Sequence, residues 1–221
     1  MGKLIVIEGL DGSGKATQAE LLATRLRGEG MEISRLRFPR YEEDSSLFVR
    51  MYLKGEFGDK PEDVNCYAAS MLYAADRYIS FKKHWGEEYA RGKVFIADRY
   101  TTSNAVHQMS KLKKEEWDDY LVWLRDFEYT KLAIPPPDMV FYLDIPPDVS
   151  ESLMVNRYDG DREKMDIHER DMEFQRKSRE AALYCGGKEG WMIIGCCENS
   201  QIRNKEEIAG EIYEKARRNL T

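Results

Sequence analysis

Residues 9 to 17 read Gly9-Leu10-Asp11-Gly12-Ser13-Gly14-Lys15-Ala16-Thr17. Three glycines let a backbone curl until successive N–H groups face one point. A helix starting there adds the positive end of its dipole. Lys15 would add a point charge at the β- and γ-phosphates of a nucleotide. The spacing nearly matches the phosphate-cradling loop G-x-x-x-x-G-K-[ST]. Gly9, Gly12, Ser13, Gly14, Lys15, Ala16 and Thr17 are therefore the candidate phosphate-binding residues. Ala16 is the departure, because it stands where a magnesium-binding hydroxyl is usual. Thr17 comes one residue too late for that role and is expected to point elsewhere.

Three further groups could complete such a site. Asp98-Arg99-Tyr100 places a carboxylate, able to hold a hydrated magnesium ion, beside an arginine able to fork onto a phosphate. Phe38-Pro39-Arg40 sets an apolar plate beside a guanidinium. Tyr73 and Arg77 are four apart, so on a helix they share a face. A ring there could stack on a base, and the arginine could bond its edge.

Elements must hold these groups together. Lys3 to Glu8 is an apolar run of strand length, and residues 14 to 29 read as a helix ending near Gly28 and Gly30. Further strands are expected at Glu32 to Phe38, Lys93 to Asp98, Asp138 to Asp144 and Trp191 to Cys196. Helices are expected over Ser45 to Lys54, Pro61 to His84, Lys113 to Lys131, Pro147 to Arg157, Glu169 to Leu183 and Lys205 to Asn219. Tyr158 to His168 is highly charged and shows no core face. Nearly continuous apolar strands alternating with helices imply a parallel sheet covered on both faces. The expected architecture is a three-layer α/β/α domain of the P-loop NTPase type over residues 1–221, with five parallel strands. Ligands in such sheets bind beyond the carboxyl ends of the strands. Glu8 to Thr17, Phe38 to Tyr41, Asp98 to Asn104 and the segment after Asp144 would all meet there.

Composition narrows the partners. The 221 residues carry 42% hydrophobic and 33% charged side chains, ordinary for a globular chain. A net charge of −6 provides no general attraction to nucleic acid polymers, so a nucleotide needs a local basic pocket. Cys66, Cys185, Cys196 and Cys197 lack zinc-ligand spacing, and reduced cytoplasmic thiols are expected. The chain runs straight into its first strand without a signal-like segment, and no stretch reaches membrane-spanning length.

Six stretches together resemble the thymidylate kinase family. They are Ile7 to Lys15, R-F-P at Arg37 to Pro39, A-A-D-R at Ala74 to Arg77, D-R-Y-T-T-S-N-A at Asp98 to Ala105, P-D-M-V-F-Y-L-D at Pro137 to Asp144 and D-I-H-E-R-D at Asp166 to Asp171. The resemblance covers nearly the whole chain. It implies transfer of the γ-phosphoryl of ATP to thymidine monophosphate (dTMP), with magnesium, by a homodimer. It also implies roles. Asp11 would contact the sugar 3′-hydroxyl, Phe38 and Pro39 would wall the acceptor site, and Arg40 would lie nearby. Tyr73 would stack on thymine and Arg77 would bond its O4. Asp98 would serve magnesium, Arg99 the acceptor phosphate, and Ser103 and Asn104 the base. His107 falls where some bacterial relatives carry a ring that crowds a ribose 2′-hydroxyl. The charged segment, about 157–169, resembles a mobile lid. Because Gly12 replaces the loop arginine of some members, Arg157 and Arg162 become the candidates for catalytic charge, with Arg170 third. Two other readings stay open: a kinase with a different acceptor base, and a nucleotide-binding sensor without turnover, to which Ala16 would point.

Overall fold

The first strand, β1 (Lys3–Gly9), lies at the centre of the sheet, which is why its side chains are apolar in both directions. Leu4 and Val6 pack on one face and Ile5 and Ile7 on the other, all fully buried. In this computed structural model, residues 1–198 and 201–220 are described, the side chains of Arg157 and Arg162 excepted. Four strands join β1: β2 (Ile33–Arg37), β3 (Val94–Asp98), β4 (Met139–Asp144) and β5 (Met192–Gly195). The order is β2-β3-β1-β4-β5, parallel throughout. Helices α1 (Lys15–Gly28) and α10 (Lys205–Leu220) cover one face through Leu22, Leu26, Ile208 and Ile212. On the other face Trp85, Tyr89 and Tyr100 pack against Leu4, Val6 and Phe95. The result is the expected three-layer α/β/α fold of the P-loop NTPase type.

Connections from β1 run to one side of the sheet and those reaching β4 run to the other. The switch therefore falls between β1 and β3, where a crevice opens at the carboxyl ends. Register sharpens this: Ile7 and Arg37 both stand beside Asp98, so the chain leaves β1, β2 and β3 at one level.

The remaining helices are α2 (Leu47–Leu53), α3 (Cys66–Ser80), α4 (Gly86–Ala90), α5 (Thr102–His107), α6 (Trp117–Arg125), α7 (Pro147–Arg157), α8 (Ile167–Arg170) and α9 (Met172–Glu189). Several differ from the sequence expectation. Pro61 to His84 is not one helix. Pro61–Asp63 forms a single 3-10 turn, Val64 is extended, and Asn65 caps α3 by accepting from the Ala68 amide at 2.8 Å. The helix then runs on through a π-helical turn, Phe81–Trp85. The stretch 113–131 likewise divides into a 3-10 turn at Lys114–Glu116, α6 and a π-helical turn at Asp126–Lys131. The charged segment 158–168 does carry core residues, since Met165 and Ile167 are buried, Ile167 among Val49, Tyr52 and Leu53. Helix α9 begins at Met172 rather than Glu169, because Asp171 caps it through the Phe174 amide. Helix α5 and a small antiparallel pair, β6 (Cys197–Glu198) with β7 (Gln201–Ile202), had no recognised sequence signal. All four cysteines are free thiols.

Candidate active site

Two contiguous cavities open at the crevice and share one wall: Asp11, Phe38, Pro39, Tyr41, Arg99 and Asp166. The first is bordered by Gly12, Gly14, Lys15, Ala16, Thr17 and Asp98, the glycine loop and the end of β3. Gly14 has φ +86 immediately before α1, a left-handed turn that glycine adopts without penalty. That turn swings the chain into the helix and leaves the α1 N-terminus facing the cavity. Lys15 is buried, donates to the Leu10 carbonyl at 2.7 Å and stands 4.0 Å from Asp11. Burial, then the charge of Arg99, pull its pKa down to about 8 against Asp11, Asp98 and Glu8. Thr17 borders this cavity together with Ala16. Gly9 and Ser13 stand behind the loop and do not line it. A Cβ on Gly9 would collide with the Ser13 hydroxyl, so the glycine allows that close approach.

Arg99 joins the two cavities. Its backbone is held at φ +67, a strained position for a side chain that is not glycine, while its amide donates to Ile7 of β1 at 3.1 Å. The guanidinium pairs with Asp11 and donates to Ser103 at 3.4 Å and His107 Nε2 at 3.0 Å. Burial disfavours a charge on Asp11, but Arg99 and then Lys15 outweigh it and hold the carboxyl well below its ordinary range. Behind Arg99 lies Glu8, fully buried, which accepts from the Tyr100 amide, Thr102 Oγ1 and Ser103 Oγ, the last standing 2.9 Å from each carboxylate oxygen. Glu8 thereby ties β1 to the start of α5. Burial pushes its pKa up in spite of Arg99.

The second cavity lies on the other side of that shared wall. Phe38, Pro39, Tyr73, Arg77, Asn104 and His107 line it, as does Ser103. These side chains come from β2's end, α3 and α5, so three separate segments converge as expected. Arg40 does not join them: its amide donates to Asp76 and its side chain turns out to Glu43 at 3.2 Å. Arg77 is not a solvated charge but is buried in an ion pair with Glu128, which no sequence signal had marked. Burial and then Arg99 push His107 down to about 3, so its ring is neutral. Arg99 donates to Nε2, which leaves the proton on Nδ1. Tyr41, Asp166 and His168 also line this second cavity, residues to which sequence reasoning gave no role of their own. His168 bonds the Tyr52 hydroxyl at 2.7 Å, seating α8 against α2.

Asp166 caps α8 by accepting from the His168 and Glu169 amides at 2.8 and 2.9 Å. Burial, then the charges of Asp11 and Glu169, push its pKa from 3.8 up to about 7. Between those values the folded chain keeps a proton that the unfolded chain releases. Stability therefore falls as pH rises through that window. Asp166→Asn keeps the capping oxygen and removes the charge. It is expected to raise the melting temperature at pH 8, with the gain shrinking toward pH 5. An equal gain at both pH values would contradict this assignment.

Asp98 is nearly buried, with Arg37 Nε 3.8 Å away, and among the described residues nothing donates a hydrogen bond to its carboxylate. Among those residues no cluster of three or more metal-ligating side chains occurs. A single carboxylate beside a phosphate loop still fits magnesium, which keeps several waters and takes other ligands from phosphates. Ala16 offers the ion nothing. Ala16→Ser is therefore expected to fold normally and to reach half-maximal activity at lower magnesium. Superimposable magnesium titrations would mean that position 16 does not face the ion.

A phosphate loop, an arginine shared with a second adjoining cavity and a five-stranded parallel sheet define a P-loop nucleotide kinase. The family model "Thymidylate kinase" matches residues 7–208. The chain belongs to the thymidylate kinase family, the ATP-dependent enzymes that convert dTMP to dTDP. A thymidylate kinase of Mycobacterium tuberculosis is 32% identical over 202 residues, covering 87% of this chain and 91% of that protein. A probable thymidylate kinase of Pyrococcus abyssi is 33% identical over 178 residues, 80% of each chain. A thymidylate kinase of Plasmodium falciparum is 29% identical over 217 residues, 97% of this chain and 89% of that one. Among the described residues no helix is long and apolar enough to cross a membrane.

Proposed function

We propose that this chain transfers the γ-phosphoryl of ATP to the 5′-phosphate of dTMP across the wall shared by its two cavities. The carrying observation is that wall, in which Asp11 and Arg99 face both sides. The loop amides and Lys15 bind the ATP phosphates. Arg99 holds the acceptor phosphate, and Asp11, charged at neutral pH, orients the sugar and Arg99. An acceptor phosphate oxygen attacks the γ-phosphorus, the bond to the β,γ-bridging oxygen breaks, and ADP leaves. Such transfer is largely positioning and charge neutralisation. Magnesium, held on the Asp98 side through water, would neutralise the β- and γ-oxygens. Arg157 and Arg162 are the proposed lid cations, although their side chains lie outside the described residues. Arg170, the third candidate, donates through Nε to the Met165 carbonyl and through Nη2 to the Glu163 carbonyl, which leaves it further donors. Tyr73 and Phe38 sandwich the base region, Arg77 and Asn104 read its edge, and His107 and Ser103 flank Arg99. ADP release, measured with magnesium across deoxy- and ribonucleoside monophosphates, tests the reading. Highest efficiency with dTMP supports it; a different preferred base, or binding without ADP release, replaces it.

A cytoplasmic homodimer belongs to the same proposal. Tyr67, Met71 and Tyr78 are exposed along α3, and Phe48 of α2 and Val122 of α6 are exposed as well. Tyr67 packs edge-on against Trp123, which joins α3 to α6. Met71→Glu is expected to convert a dimer to monomer in analytical ultracentrifugation. A wild-type monomer at micromolar concentration would remove the dimer.

A further inference from the structure

We propose that Glu128, which lines neither cavity, decides which base edge the acceptor pocket takes: by fixing the amide of Asn104 it selects keto pyrimidines over amino pyrimidines. The inference rests on the acceptor-site reading above and names a positioning residue that acts through Asn104 and Arg77.

Glu128 has no solvent exposure and sits on the π-helical turn Asp126–Lys131. A carboxylate so deeply buried requires several donors. Its Oε1 accepts from Arg77 Nη2 and, at 3.2 Å, from Asn104 Nδ2; its Oε2 accepts from Arg77 Nε at 3.3 Å. Paired with a guanidinium, it is a carboxylate and can only accept. The Asn104 atom facing it is therefore the amide nitrogen. The Ser70 carbonyl, at 3.4 Å, takes the same nitrogen. Two acceptors thus occupy the NH₂ group, and Oδ1 is left for the pocket that Asn104 lines. Among the described residues nothing donates to that oxygen.

Arg77 is set by the same carboxylate. Glu128 takes two of its five N–H groups and the Tyr100 carbonyl takes a third at 3.4 Å. Two donors remain, and Arg77 lines the same pocket. The pocket thereby presents an acceptor beside donors. A base edge with a ring N–H next to a carbonyl matches that pair. An amino pyrimidine offers a bare ring nitrogen to Oδ1 and an amine to the guanidinium, which is wrong at both points. With Glu128 neutral, a rotated Asn104 amide would become tolerable, and the discrimination would fade.

The probe pair is dTMP and 5-methyl-deoxycytidylate, alike in methyl, sugar and phosphate and different only at this edge. Wild-type kcat/KM should favour dTMP by about 100-fold or more, as expected of a site built around paired hydrogen bonds. In Glu128→Gln the ratio should fall by at least about tenfold, since Gln can donate to Asn104 Oδ1 and admit the flipped amide. Glu128→Asp keeps a countercharge for Arg77 but is one methylene shorter. It should shift the ratio the same way, and it carries the test if the Gln variant melts too low to assay. A carboxylate that only stabilised the fold would lower both efficiencies equally. An unchanged ratio in a folded variant overturns the proposal, as does a wild type that does not discriminate. A wild type that phosphorylates no dTMP overturns the acceptor-site reading, and the inference with it.

Discussion

Arg99→Ala is expected to lower turnover by about 10³-fold or more, the scale of arginines that meet charge on a transferring phosphoryl group. The geometry explains why its loss would be felt on both sides. The guanidinium stands in the wall between the cavities, and three neighbours depend on it. Asp11 would lose the first of the charges that keep its carboxyl low, and buried Glu8 would lose its nearest cation at 4.0 Å. His107 would lose the donor at Nε2, so its tautomer would no longer be fixed. Arg99→Lys should recover only part of the activity, because an ammonium cannot fork. Steady-state kinetics check this, with a fall in kcat exceeding any rise in the dTMP Michaelis constant. Turnover within tenfold of wild type would place the acceptor phosphate elsewhere.

Lys15→Ala should cost about 10²-fold or more in turnover, as the loss of a preorganised charge does in other electrostatic sites. A pH signature separates this from general damage. The Lys15 ammonium, lowered to about 8 by burial and by Arg99, becomes neutral above that pH in the free site. Wild-type affinity for ATP should therefore weaken as pH rises past about 8, and the alanine variant should lack that step. Calorimetric titration at pH 7 and pH 9 reads it. A step retained in Lys15→Ala would assign the titration to another group.

Periodicity located the five strands within a residue or two, because the inner strands are apolar in both directions and β2, at the sheet edge, alternates apolar with polar residues. Helix ends were less legible. Asn65 and Asp171 act as caps, yet the same residue types occur throughout the polar surface, and only the geometry tells a cap from a solvated side chain. Glu128 was hidden for a related reason: it continues the buried face of Trp117, Leu121 and Leu124 at helical spacing, where only its partner Arg77 from another helix accounts for a carboxylate.

The site divides along the same line. Gly9 to Thr17 is contiguous, so its spacing alone specified a phosphate loop, and Asp98-Arg99 was readable because it directly follows a strand. Tyr73 and Arg77 were legible as a helical pair, but not the carboxylate that holds the arginine, 51 residues away. Asp166 and His168 lay in a stretch whose charges concealed a buried turn. Arg40 was misjudged because adjacency to Pro39 says nothing about which way a side chain turns. By itself the sequence determined the layered parallel fold, the phosphate loop and the family, since these depend on local spacing and on apolar burial. Tertiary structure decided which charges pair, which amide faces the pocket and which carboxylate is forced toward neutrality. Those outcomes depend on distances between segments far apart in the chain and on how completely water is excluded between them.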